Sequence, residues 1–139
     1  MRAWWNSLHE LALASAIVSA IREAVEKEGS KVKLVRIYLG ELQSLDASVL
    51  EEYIRMSLKD YDLSVSYEIL EEEAVFKCRR CGLEWRLRDE SISEEVREYI
   101  HFLPEAIHAF IKCPFCASSD FDVVSGRGVR LSIVLSEGG

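Results

Sequence analysis

Over residues 9–28 the apolar side chains Leu13, Ile17, Ile21, Ala24 and Val25 recur at helical spacing, and Gly29 follows as a stop. The pattern predicts a helix of about five turns. Residues 32–39 are rich in β-branched and aromatic types, with Val35, Ile37 and Leu39 on one face, so they predict a strand ending at Gly40. Ser48-x-x-Glu51 reads as a capping box that opens a second amphipathic helix, in which Val49, Tyr53 and Met56 stand beside Leu50 and Ile54. Next, Leu63, Val65, Tyr67 and Ile69 alternate with Ser64, Ser66 and Glu68, the signature of a half-buried strand.

After the acidic run Glu71, Glu72, Glu73 the pattern shortens. Strand-like pieces at residues 74–77 and 83–87 flank a first cysteine pair, and 31 residues separate it from a second. Within that spacer Ser91-x-x-Glu94 followed by Val96, Tyr99 and Ile100 predicts a short helix, and Pro104 opens a further turn carrying His108. Phe121 and Val123 suggest a closing strand, Gly126-Arg127-Gly128 breaks it, and Val129, Leu131, Ile133 and Leu135 alternate again in a strand expected to return to the first sheet. The fold class expected is a small α/β domain, a mixed sheet with two helices, interrupted by a zinc-ribbon-like module. Residues 1–72 and 125–139 would form the discontinuous α/β domain and residues 73–124 the module.

Composition narrows the function. Hydrophobic residues at 49% and charged residues at 29% of 139 are ordinary for a globular chain, and no apolar run nears the roughly 20 residues that span a bilayer. No membrane association is expected. The first residues, MRAWWNS, lack the apolar stretch and cleavage site of a secretory signal, which points to the cytoplasm. In that reducing compartment cysteine pairs are metal ligands rather than disulfides. A formal net charge of −7 argues against a nucleic-acid partner.

Cys78 and Cys81, with Cys113 and Cys116, form two Cys-x-x-Cys turns, each able to deliver two thiolates to a tetrahedral zinc ion. Gly82 and Pro114 suit those turns, and Lys77, Arg79, Arg80 and Lys112 are expected to offset the thiolate charge. A four-thiolate site is closed, so the zinc would be structural, and a zinc-dependent hydrolase ranks low. Outside the cysteines stand His9, His101, His108 and many carboxylates. Each has a bland reading: His9 solvated beside a Glu10 that favours the helix dipole, His101 and His108 hydrogen-bonded in the core, Asp46 a helix cap or turn residue.

Taken in order, the strings HELALASAIV, LGEL, EEEAVFKCRRCG, IHFLPEAIHAF, CPFC and GRGV resemble the HypA/HybF family of hydrogenase-maturation nickel metallochaperones, in its archaeal long-loop form. The resemblance implies a chaperone and not an enzyme, with nickel carried by the His-Glu element, His9 and Glu10, and zinc by the four cysteines. It implies that the loop acid Asp46 approaches nickel and that His101 reaches it; it assigns His108 no such role. Nickel(II) accepts nitrogen and oxygen donors, so imidazole with carboxylate is chemically apt. Implied partners are a HypB-type GTPase and a hydrogenase large-subunit precursor, with a homo-oligomer possible. In the family the His-Glu pair directly follows the initiator methionine. Here MRAWWNS and Leu8 come first, which puts the terminal amine eight residues before His9 and leads to the expectation that translation starts at codon 8 or that the extension is removed. The rival reading is a zinc-ribbon interaction adaptor with no second metal.

Overall fold

The computed structural model describes residues 7–42, 45–90 and 92–136, with the side chains of residues 7, 8, 101, 102 and 104 outside the description. The chain divides into two compact units, one of residues 1–38, 45–70 and 130–139 and the other of residues 39–44 and 71–129. Among the described residues no helix is long and apolar enough to cross a membrane.

The first unit carries helices α1 (Ser7–Glu28) and α2 (Ala47–Asp60). Ala14, Ile17, Val18 and Ile21 form the buried stripe of α1, and Gly29, at φ +57°, ends it in a conformation glycine adopts without steric cost. On α2 the buried stripe is Leu50, Ile54 and Leu58; Leu50 and Ile54 are buried as expected, Val49 and Tyr53 are half-buried, and Met56 is exposed against expectation. The capping box expected at Ser48 is not formed, and Asp46 takes the cap position that its plain reading gave it. Asp46, not Ser48, caps α2, its Oδ1 accepting from the backbone N–H of Ser48 and Val49 at 3.0 and 3.2 Å. A carboxylate two residues upstream reaches the free N–H groups, and Ser48 falls inside the helix.

Strands β1 (Val32–Gly40), β2 (Tyr67–Glu72) and β6 (Val129–Leu135) form a three-stranded sheet in the order β2-β1-β6, so the last strand does return to the first sheet. Val35 and Ile37 are fully buried. On other β1 positions, Arg36 pairs with Glu68 at 2.8 Å and Tyr38 lies under the Arg130 guanidinium at 3.9 Å. The alternating run 63–69 enters the strand only at Tyr67, because Leu63 still donates to the Leu58 carbonyl at the end of α2.

The second unit is built on β3 (Val75–Cys78), paired antiparallel with β4 (Glu84–Arg86) and β5 (Phe121–Ser125). Helix α3 (Glu94–Phe102) is capped by Ser93, whose hydroxyl accepts from the Val96 N–H, two positions past the expected Ser91, which lies outside the described residues. A 3-10 turn at Pro104–Ala106 leads into the short α4 (Ile107–Phe110). The core is an aromatic triad, Phe76, Trp85 and Phe121, with ring centroids 5.2–5.5 Å apart, filled out by Ile100, Ile107 and Ile111.

The Gly-Glu-Leu string after β1 is explained within this unit. A Cβ on Gly40 would lie 2.4 Å from the Gly126 carbonyl oxygen, too close for any side chain. Glu41 Oε1 accepts from the Ala74 N–H at 2.9 Å, and Leu42, fully buried, joins the core around Phe76. Each of the three residues thus has a packing or hydrogen-bonding task.

Candidate functional site

Each cysteine pair sits on a turn of the same construction. In the first, the Cys78 N–H donates to the Leu83 carbonyl at 2.9 Å and the Gly82 N–H returns to the Cys78 carbonyl at 3.0 Å. In the second, the Cys113 N–H donates to Ser118 at 2.9 Å and the Ala117 N–H to Cys113 at 2.8 Å. The residue after the second cysteine is left-handed in both, Gly82 at φ +80° and Ala117 at φ +62°. Glycine takes that conformation freely; alanine there carries strain of about 1–2 kcal/mol. Position 117 gives no signal by residue type, but its equivalence to Gly82 in the repeated Cys-x-x-Cys-x pattern could have revealed it.

The two turns bring four sulfurs together. Every pair of ligand atoms among Cys78, Cys81, Cys113 and Cys116 lies within 4.8 Å, and the closest contacts are 3.6 Å for Cys78 to Cys116 and 3.5 Å for Cys81 to Cys113. All four thiols are free. A disulfide would need about 2.0 Å, whereas a tetrahedron with zinc–sulfur bonds of about 2.3 Å has edges of about 3.8 Å. The donor set and its spacing therefore fit a tetrahedral thiophilic metal with every position filled by protein.

Electrostatics within the cluster are divided. Backbone N–H groups of Cys81 and Arg80, each 3.4 Å from Cys78 Sγ, hold the Cys78 thiol down to about 6. Burial opposes ionisation of Cys113, yet the N–H groups of Cys116 and Phe115 keep it below the usual thiol range. Cys81 is helped by the Leu83 N–H, but burial and its sulfur neighbours push it up to about 12; Cys116 is raised in the same way despite the Ser118 N–H. Two thiolates are favoured by the backbone, and full ionisation of all four calls for a cation in their midst.

The flanking cations do not act as expected. Arg79 is taken by carboxylates, with Nε 2.9 Å from Asp122 and Nη1 3.4 Å from Asp120, and its N–H donates to the Asp120 carbonyl. It braces the first turn against the segment leaving the second. Lys77, Arg80 and Lys112 are exposed, and the charge compensation seen at sulfur comes from backbone N–H groups.

The remaining candidates divide by surroundings. His9 is exposed near the start of α1, and its neighbour Glu10 is fully buried. Glu10 Oε1 accepts from the Asp46 N–H at 3.0 Å, so the first unit brings the His-Glu element and the loop acid together through the backbone of Asp46. The half-buried Asp46 carboxylate is engaged in capping α2. His101 lies in α3, and its side chain is outside the described residues. His108 is half-buried, its ring 4.3 Å from Phe121 and its Nδ1 donating to the Ser119 carbonyl at 3.1 Å, which suits a structural histidine.

Known proteins place these features in a family. A model described as hydrogenase/urease nickel incorporation, metallochaperone, HypA, matches residues 8–135. The hydrogenase maturation factor HypA of Pyrococcus horikoshii is 50% identical over 130 residues, covering 90% of this chain and 93% of that protein. That of Pyrococcus furiosus is 45% identical over 137 residues, covering 94% and 96%. The fold resembles the solution structure of the nickel metallochaperone HypA from Helicobacter pylori, with a TM-score of 0.54 at 17% identity over 91% of this chain and 96% of that one. Another HypA solution structure gives 0.60 at 16% identity, covering 94% and 98%. With the four-cysteine cluster, the Gly-Glu-Leu joint and the His-Glu element in place along a match of this extent, the chain belongs to the HypA family.

Proposed function

We propose that this chain is a nickel metallochaperone that binds nickel and hands it on during maturation of a [NiFe]-hydrogenase, with a structural zinc held by Cys78, Cys81, Cys113 and Cys116. One observation carries the division of labour: the chain has four cysteines and all four point into one cluster. A second metal must then use imidazole, carboxylate and backbone nitrogen. The zinc supplies cross-linking, tying the two turns into one rigid module, and leaves no position open for substrate. Nickel is cargo and is assigned to the His9–Glu10 element, where His9 supplies the donors, with Asp46 and His101 adding to them on the strength of the sequence motif. The exposure of His9 suits a ligand that must both take up and release a metal. On this reading the protein delivers nickel and catalyses nothing, and it acts beside a HypB-type GTPase and the hydrogenase large-subunit precursor.

Metal analysis tests it. The purified chain should hold about one zinc, set by the single four-thiolate site, and added nickel should be taken up without loss of that zinc. A chain that ignores nickel would be a zinc-ribbon adaptor instead, and one that exchanges its zinc for nickel would overturn the separate sites.

A further inference from the structure

The placement of Glu10 is unusual for a metal ligand. Among the described residues it is the one charged side chain that is buried, with no exposed surface, although it sits next to an exposed histidine in the first turn of a surface helix. Burying a carboxylate is costly unless hydrogen bonds and charges compensate it. Here the compensation is visible. Oε1 accepts from the Asp46 N–H at 3.0 Å, and Asp46 is the residue that caps α2. At the other end of the pair, the Arg22 guanidinium of α1 lies 4.0 Å over the ring of Tyr61, which closes α2. The two helices therefore run parallel, and the Glu10 carboxylate lies at the N-terminal ends of both. There two sets of backbone dipoles favour negative charge.

We infer that Glu10 is a positioning residue: its buried carboxylate clamps the loop that carries Asp46 to the His9 end of α1, and it takes no direct part in holding nickel. The assignment deepens the proposed function and rests on it, since it concerns how the nickel element is built. A metal bound to a fully buried carboxylate would itself be enclosed, which opposes release, while a clamp can do its work unseen by solvent. The clamp holds the Asp46 backbone within one residue's reach of the His9 position in α1. The Asp46 side chain meanwhile satisfies the end of α2 through Oδ1.

Two conservative variants separate clamp from ligand because they preserve different things. Glu10→Gln keeps an oxygen at the same reach and removes the charge; Glu10→Asp keeps the charge and withdraws it by one methylene. Both are measured in the full zinc-loaded chain by nickel titration and by hydrogen exchange at the Asp46 amide. The clamp predicts that Gln retains Asp46 protection and nickel affinity within about threefold. It predicts that Asp loses at least about tenfold in both, the scale of a lost hydrogen bond to a charged group. The reverse order for nickel, with Gln losing it and Asp keeping it, would make Glu10 a ligand and overturn the inference. So would unchanged Asp46 protection in Glu10→Asp. A wild-type chain that takes up no nickel would defeat the proposed function instead, and exchange at Asp46 would still decide whether the clamp exists.

Discussion

The thiol cluster and the His-Glu element solve opposite problems. At the cluster, two turns of one construction leave each cysteine held by backbone hydrogen bonds, and the four sulfurs point at a common centre with no free position. Around His9 the imidazole is exposed, and what is held is its support, the buried carboxylate of Glu10 on the backbone of Asp46. A metal that holds a fold together wants a closed cage whose donors are fixed before it arrives. A metal in transit wants a donor that is accessible on a scaffold that is not. On the proposed reading the two are separated by chemistry, sulfur for the first and nitrogen with oxygen for the second.

The largest expected effect is on the closed side. Structural zinc contributes roughly 10–16 kcal/mol of apparent binding energy in small modules. Cys78→Ser or Cys113→Ser should therefore release the metal and melt the second unit while the helices of the first persist, as read by zinc content and circular dichroism. Unchanged zinc and an unchanged melting curve would remove the cluster from the account.

The next effect sharpens the open side. A chain shortened to begin at residue 8, with Met or Leu there, offers its amine, the His9 backbone nitrogen and the His9 imidazole as one preorganised chelate. Its nickel affinity should exceed that of the 139-residue chain by at least about tenfold, roughly 1.4 kcal/mol. His9→Ala should erase that gain, and equal affinities for the two lengths would show that the amine plays no part.

A smaller effect lies in the difference between the two turns. Ala117→Gly should relieve left-handed strain and raise the stability of the second unit by about 1 kcal/mol, while Gly82→Ala should lower it by a similar amount. Thermal melts of both variants check the pair, and a shift of the same sign in each would break the equivalence of the turns.

The smallest concerns pH and the first unit alone. Burial, and then its hydrogen bond to Glu51, raise the Tyr67 hydroxyl from its ordinary value of 10 to about 12. The folded state thus favours the neutral phenol; its contribution is whole below pH 10 and is lost as pH climbs toward 12. Tyr67→Phe should remove this part of the alkaline decline, visible as a flatter stability profile across that window.

Much of this was legible in the residues. The period of Ile17 and Ile21 and the alternation of Val35, Ile37 and Leu39 state which face is buried, because helix and strand geometry leave no other way to hide those side chains, while Leu13 is only half-buried. The cysteine spacing announced the cluster. What could not be read were contacts made between distant segments. Glu41 meets the Ala74 N–H, and Glu10, read as a carboxylate favouring the helix dipole, meets the Asp46 N–H, both across long stretches of sequence. Ser48 reads as opening α2 while Asp46 also reads as a cap, and α3 is capped by Ser93 rather than the expected Ser91, for a related reason. Several polar residues near a helix start can each serve, and the path of the incoming chain decides which one does.

The nickel K-edge X-ray absorption spectrum of the zinc-loaded chain with added nickel tests the separation of the two metals most directly. The account predicts a nickel shell of nitrogen and oxygen scatterers with no sulfur, and a zinc edge in the same sample that remains sulfur-coordinated. Sulfur in the nickel shell would place nickel among Cys78, Cys81, Cys113 and Cys116 and contradict the division of the molecule into a closed zinc site and an open nickel site.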